Sequence, residues 1–302
     1  MVQSRTEKFG GRDIELSNLD KVFFPGDDIT KGDVVDFYHR IGDVALPHYR
    51  DRPLTMQRFP DGIGSDGFFQ KDAPHYFPDW IDTFELDKEG GTVRHVVCNS
   101  AATLVYLADQ GLITPHLGLA RIDQVDHPDR MIFDLDPSDD DFSKVQDAAS
   151  GFRQLLDGLE IPSFVATTGS RGLHVVVALD RSVQFDDVRA IARRVASSLR
   201  DADASALTTE QRKSKRGARV FLDTGRNAYG QTAVAPYALR PIAGAPVATP
   251  LDWSEALSSN MHPQRYKMAN IFRRLANKSD PWQEIGNFAV SAEELDRRLR
   301  RA

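Results

Sequence analysis

Met131-Ile132-Phe133-Asp134-Leu135-Asp136-Pro137 is the stretch on which the reading of this chain turns. In an extended strand successive side chains alternate between faces. Asp134 and Asp136 therefore share one side, while Phe133 and Leu135 project from the other into a core. Two carboxylates at that spacing repel unless a cation sits between them, and a hard divalent ion such as Mg²⁺ or Mn²⁺ suits oxygen ligands. The competing reading is a strand end with solvated acids, because Pro137 stops the strand at once.

Downstream the pattern is regular. Val145, Ala149, Phe152, Leu155, Leu156 and Leu159 recur at helical spacing, a strand follows at Phe164–Thr168, and an apolar run covers Leu173–Leu179. A second helix carries Val188, Ile191, Val195 and Leu199, and Ala218–Asp223 reads as a further strand. The order β-α-β-β-α-β is that of the split βαβ unit of ferredoxin-like and RNA-recognition-motif folds. The expectation is an α+β protein. Residues 126–302 would form an RNA-recognition-motif-like core with a C-terminal helical region, and residues 1–125 an N-terminal α/β module packed against it. In such a sheet the first strand lies between the third and fourth, which sets His174 beside Asp134 and Asp136. A simple antiparallel fourth strand would carry Asp223 to the opposite end unless it is staggered.

In the N-terminal stretch, Phe24-Pro25-Gly26 and Phe59-Pro60-Asp61-Gly62 are turn signals. Thr30-Lys31-Gly32-Asp33 opens a capped amphipathic helix, and Ala101–Gln110 reads as another, stopped by Gly111. The 302 residues include 41% hydrophobic and 27% charged positions, ordinary for a globular protein, and no stretch approaches the roughly 20 apolar residues of a membrane span. The terminus from Met1 to Lys8 has no secretory apolar core, and the single cysteine, Cys98, excludes a disulfide framework and a cysteine-built zinc site. The expected location is the cytoplasm. A net charge of −6 argues against coating nucleic acid by global charge. It leaves room for a local basic channel: Arg212, Lys213, Lys215, Arg216 and Arg219 crowd just before Asp223, as a phosphate-facing patch or as a solvated loop.

Asp223 would supply the third carboxylate that a two-metal phosphoryl-transfer site needs, with ions about 3.5–4 Å apart. Thr168-Gly169-Ser170-Arg171-Gly172-Leu173-His174 fits beside it. Its glycines let backbone N–H groups approach phosphate oxygens, Ser170 offers a hydroxyl, Arg171 a fork and His174 a ring N–H. A hairpin turn followed by a core histidine is the alternative.

The ordered set Asp134-Leu135-Asp136, Ser170-Arg171-Gly172-Leu173-His174 and Asp223 resembles the three signature motifs of archaeo-eukaryotic primases. It is most similar to the polymerase domain of bacterial ligase D, which serves non-homologous end joining. Asn18-Leu19-Asp20-Lys21-Val22-Phe23-Phe24-Pro25, Phe68-Phe69-Gln70-Lys71 and Ala235-Pro236-Tyr237-Ala238-Leu239-Arg240 match as well, so the resemblance covers roughly residues 12–290.

The resemblance implies a template-directed nucleotidyltransferase that adds nucleotides, by preference ribonucleotides, at DNA gaps and double-strand-break ends. Asp134, Asp136 and Asp223 would be the catalytic acids, holding two Mn²⁺ or Mg²⁺ ions. Ser170, Arg171, Gly172, His174 and Arg240 would contact the incoming nucleoside triphosphate. Asn18, Lys21 and Lys31 would form a pocket for the downstream DNA 5′-phosphate. Phe68 and Phe69 would stack on template bases with Lys71 nearby, and His116 lies in a family-like segment. DNA with gaps or broken ends, nucleoside triphosphates, Ku and a separate ATP-dependent DNA ligase are the implied partners, in a nucleoid-associated cytoplasmic setting without a membrane.

Two departures qualify this. Gln57-Arg58-Phe59 stands where relatives carry more basic residues, which weakens the expected DNA contact there, and no zinc-binding insertion can be built around Cys98 alone, which favours extension over de novo priming. No ligase or nuclease domain is recognised, so a stand-alone polymerase and an excised domain are equal expectations. The competing functions are a manganese-dependent glycosyltransferase, which also places DxD at a strand end, and a non-catalytic module that binds DNA ends. The latter has no use for three carboxylates. A haloacid-dehalogenase-type phosphatase fits poorly, since Pro137-Ser138 follows the motif and 130 residues precede it.

Overall fold

Arg130–Asp136 is a strand, buried from its start through Leu135. Its neighbours Leu173–Ala178 and Val220–Asp223 are both antiparallel to it, and Phe164–Thr167 lies antiparallel beyond Leu173–Ala178. Leu207–Thr208 and Pro250–Leu251 complete the edges of this six-stranded sheet. Those edge pieces are too short to show alternation in sequence, and Pro250, which has no N–H to give a ladder, belongs at an edge.

Helix Phe142–Gly158 starts at Asp141, whose carboxylate accepts from the Ser143 N–H, and buries Val145, Ala149, Phe152 and Leu156. Helix Phe185–Ala202 places Asp186 and Asp187 in its first turn, where the helix dipole favours them. The Phe133 and Phe152 rings stand 4.5 Å apart, so the first helix covers the face onto which Phe133 and Leu135 project. Asp134 and Asp136 necessarily face the other way.

Register decides where Asp223 lies. Val220–Asp223 pairs only with the C-terminal half of the central strand, setting Asp223 opposite Asp134, Leu222 opposite Leu135 and Phe221 opposite Asp136. The stagger keeps Asp223 with the acid pair instead of carrying it to the far end.

The computed structural model describes residues 4–302, so Met1-Val2-Gln3, which open the terminus read above, lie outside the described residues. They divide into two units of mixed α/β structure. The sheet just described belongs to the second, which takes Leu119–Gln231, Thr249–Arg265 and Ser279–Ala302; the first runs to Gly118 and adds Thr232–Ala248 and Tyr266–Lys278. The division expected at 125/126 thus differs in kind: two later segments return to the first unit. Their apolar side chains explain it, since Tyr237, Leu239, Val247 and Ile271 are buried in the first unit's core.

That core lies under a sheet in which Thr232–Val234, Leu112–Gly118, Pro53–Arg58, Gly91–Val97 and Thr83–Lys88 follow in order, with Phe68–Gln70 paired to Pro53–Arg58. Helices Lys31–Tyr49 and Ala101–Asp109 contribute Val34, Phe37, Tyr38, Ile41, Leu104 and Leu107. Thr30 caps the first helix with a reciprocal box to Asp33, and Gly111, at φ 84°, turns the chain out of the second. Among the described residues no helix is long and apolar enough to cross a membrane.

Buried hydroxyls fasten the returning segment. Tyr38 donates to the Ile113 carbonyl and accepts from the Leu239 N–H at 3.1 Å, and Thr114 Oγ1 donates to the Leu239 carbonyl at 2.7 Å. Burial accordingly pushes the Tyr38 phenol far up. Tyr38→Phe leaves Ile113 and Leu239 without this partner. It should lower the unfolding free energy by about 1–3 kcal/mol, read as a lower denaturant midpoint at unchanged slope.

Candidate active site

The three acids meet because of register. Asp134 is opposite His174 on one neighbouring strand and opposite Asp223 on the other, so the three side chains form a row on one face. Asp136, two residues on, shares that face. Asp134, Asp136 and Asp223 each offer a carboxylate oxygen within 4.8 Å of the others. Burial, then Asp134, then Asp223 push the Asp136 carboxyl up to about 6, against the opposing pull of Arg216 and His174. Three converging hard oxygen donors with one carboxyl already resisting ionisation is a donor set that fits a divalent cation.

Two of the acids, Asp223 and Asp134, also have partners close by. The Gly225 N–H donates to Asp223 Oδ1 at 2.7 Å, and His174 Nε2 stands 3.5 Å from Asp134 Oδ1. Arg226 Nε stands 3.7 Å from Asp134 Oδ2. The fully buried Asn227 does what a strand would do: its amide accepts from the Ile132 N–H at 2.8 Å and donates to the Ile132 carbonyl at 2.7 Å, just where the Val220–Asp223 strand has ended. Arg226 and Asn227 were missing from the reading of the sequence. A Gly-Arg-Asn turn after a strand carries no signal that sets it apart from a solvated loop.

The Thr168–His174 segment is organised differently from the expected phosphate cradle. Thr168 Oγ1 accepts from the Ser170 N–H at 3.3 Å and the Gly172 N–H at 3.2 Å, so both amides are used within the turn. Gly169, at φ 67°, makes the turn, and a Cβ on Gly172 would stand 2.1 Å from the Leu135 carbonyl oxygen. The glycines therefore serve the turn and its packing on the central strand. What remains for a ligand is side-chain chemistry: the Ser170 hydroxyl, His174, and the exposed Arg171, which now touches the Asp139 carbonyl at 2.9 Å and Asp140 at 3.4 Å.

In the basic run, Arg216 and Arg219 fold back on carbonyls of their own loop, and the Arg216 guanidinium lies 3.7 Å over the Phe221 ring. Phe221 is opposite Asp136, so Arg216 stands on the acid face.

The first unit holds the other candidates. Phe68 and Phe69 are both exposed, at 46% and 61%, on opposite faces of their strand: Phe68 lies against Arg58, and Phe69 meets His116 edge-on at 5.3 Å. Lys71 is exposed just beyond, and Arg240 is half-buried in the returning segment. Asn18 takes a left-handed φ of 53° at the turn before Lys21, whose ammonium contacts the Pro60 carbonyl at 2.9 Å and Asp61 at 2.5 Å.

Lys31 is neither a solvated surface cation nor beside free amides. Its buried ammonium pairs with Asp109 at 2.7 Å and donates to the Ser17 carbonyl at 2.6 Å. The N–H groups of Lys31, Gly32 and Asp33 donate to Lys21, Leu19 and Thr30, so these amides of the helix N-terminus are already used.

The family profile of the LigD primase-polymerase domain matches residues 30–282. The chain is 32% identical over 285 residues to the multifunctional non-homologous end joining protein LigD of Mycolicibacterium smegmatis, covering 93% of this chain and 37% of that protein. It is 30% identical over 271 residues to the bifunctional LigD of Bacillus subtilis, covering 89% and 43%. It thus spans less than half the length of these relatives. The solved polymerase domain of Mycobacterium tuberculosis ligase D, in complex with DNA, superposes with a TM-score of 0.86 at 29% identity, covering 92% of this chain and 99% of that one.

Lys31→Ala would leave the Asp109 carboxylate buried without its cation. Loss of one partner of such a pair costs about 3–5 kcal/mol, so a large fall in Tm is expected, whereas Lys21→Ala, at a half-exposed pair, should shift Tm little.

Proposed function

The chain belongs to the LigD primase-polymerase domain family, and on that basis we propose that it is a template-directed nucleotidyltransferase filling gaps and extending broken DNA ends in repair. In the reaction the primer 3′-hydroxyl attacks the α-phosphorus of a nucleoside triphosphate. A 3′-oxygen–phosphorus bond forms, the α–β phosphoanhydride bond breaks, the hydroxyl proton is lost and pyrophosphate leaves. The observation that carries this reading is the meeting of three carboxylates, from two strands, on the face away from the helices. The four central strands lie in the order fourth, first, third, second, all antiparallel, which supports the RNA-recognition-motif-like reading of the core.

Asp134, Asp136 and Asp223 would hold two Mn²⁺ or Mg²⁺ ions. When bound, these lower the pKa of the attacking hydroxyl and stabilise the charge on the leaving oxygen. The chain's own residues orient the reactants. Ser170 and Arg171 would bind the triphosphate, with His174 donating to a phosphate oxygen, and Arg240 is a further nucleotide contact that the family resemblance implies. Gly172 acts by letting the turn approach the central strand. Phe68 and Phe69, exposed on the two sides of one strand, would stack on template bases, with Lys71 on the backbone. Lys21 and Asn18 would take the downstream 5′-phosphate. Lys31, tied to Asp109, would support that site from behind. Use of ribonucleotides, cooperation with Ku and a separate ligase, and action on nucleoid DNA in the cytoplasm complete the proposal.

The test is extension of a fluorescent primer on a gapped duplex, with ribo- and deoxynucleotides and with each metal in turn. Asp134→Ala should abolish extension while retaining most DNA affinity. Full extension by this variant, or none by the wild type under any condition, sinks the reading. Lys21→Ala should weaken binding to a gap with a 5′-phosphate and leave the 5′-hydroxyl version nearly unchanged, at fixed salt. Equal wild-type affinity for the two DNAs removes the phosphate pocket.

A further inference from the structure

Arg226 lies outside every motif considered so far, yet its backbone is fixed on both sides. Before it, the Gly225 N–H donates to the Asp223 carboxylate at 2.7 Å; after it, the Asn227 amide is bound to both polar groups of Ile132. From this anchored root its Nε comes within 3.7 Å of Asp134 Oδ2, with a side chain 42% exposed against 11% for that of Asp134. His174 approaches the other oxygen, Oδ1, at 3.5 Å. The arrangement is a permanently charged guanidinium on an anchored base, reaching a carboxylate that also belongs to the acid cluster.

We propose that Arg226 is a tethered counter-ion of this cluster: it neutralises Asp134 when no divalent cation is bound, must withdraw when one binds, and so sets the metal affinity of the site. The proposal rests on the metal-binding reading of the three acids. Guanidinium and metal compete for the same carboxylate, and two cations a few ångströms apart repel even in a wet site. The exposure of Arg226 gives it room to withdraw, while the Gly225 and Asn227 anchors keep it within reach. A structural arginine would behave differently, because its loss would loosen the turn and weaken metal binding.

The experiment is a Mn²⁺ titration without nucleotide, following the electron paramagnetic resonance signal of the free ion, on the full chain and three variants. R226Q should bind Mn²⁺ more tightly, by about tenfold for removal of one nearby charge. R226K keeps the charge and should stay close to wild type. Asp134→Asn should weaken binding; if it does not, the metal reading fails and the role of Arg226 falls with it. With Asp134→Asn weakened, unchanged or weaker Mn²⁺ binding by R226Q overturns the proposal while the metal reading stands, provided circular dichroism and Tm match wild type. Tightening by R226K equal to that of R226Q also overturns it, since charge would then not be the cause.

Discussion

Three carboxylates brought together by strand register repel one another, and much of the second unit either imposes that register or answers the charge. The helix-covered face fixes the central strand through Phe133 and Leu135, which leaves Asp134 and Asp136 no choice of side. The short partner strand stops at the residue opposite Asp134. His174, Arg216 and Arg226 bring positive or proton-donating groups to the rim, and the Gly225 amide bonds Asp223. A slip of one residue in either pairing would send an acid into the helical core, where no cation could reach it.

Glycine and asparagine carry out the same constraint at the backbone level. Gly172 lets a turn lie on the Leu135 carbonyl, and Asn227 lends its side-chain amide to a strand whose neighbour has run out. Neither needs to touch a ligand to matter for the site. The acids are held by a frame that tolerates little movement, which suits a centre whose metal would do most of the chemistry.

The central strand, its two helices and the strands beside it were legible because alternation and helical spacing are local properties of sequence. The acid pair was legible for the same reason. The placement of Asp223 was not, since it depends on a stagger that no single strand encodes. The glycines of the Thr168–Gly172 turn looked like a phosphate cradle because turn-making and cradle-making glycines are the same residues; only the Thr168 hydroxyl, occupied by two amides, separates them. The burial of Lys31 was not legible either. A lysine opening a capped helix is usually solvated, and its burial depends on Asp109, far along the chain at the end of another helix. Arg226 and Asn227 had no periodic signal at all.

The return of Thr232–Ala248 and Tyr266–Lys278 to the first unit has a consequence for how the protein is made. The chain leaves the ribosome from its N-terminus, so the four central strands of the second unit, finished by Asp223, are all synthesised before Tyr237, Leu239 or Ile271 can enter the first unit's core. The core of the unit that begins first is therefore closed only after those strands have been made. Until Leu239 arrives, the buried hydroxyls of Tyr38 and Thr114 must be satisfied by water, and a large apolar surface on the nascent first unit stays uncovered. During synthesis this uncovered core is a surface in need of protection from premature association.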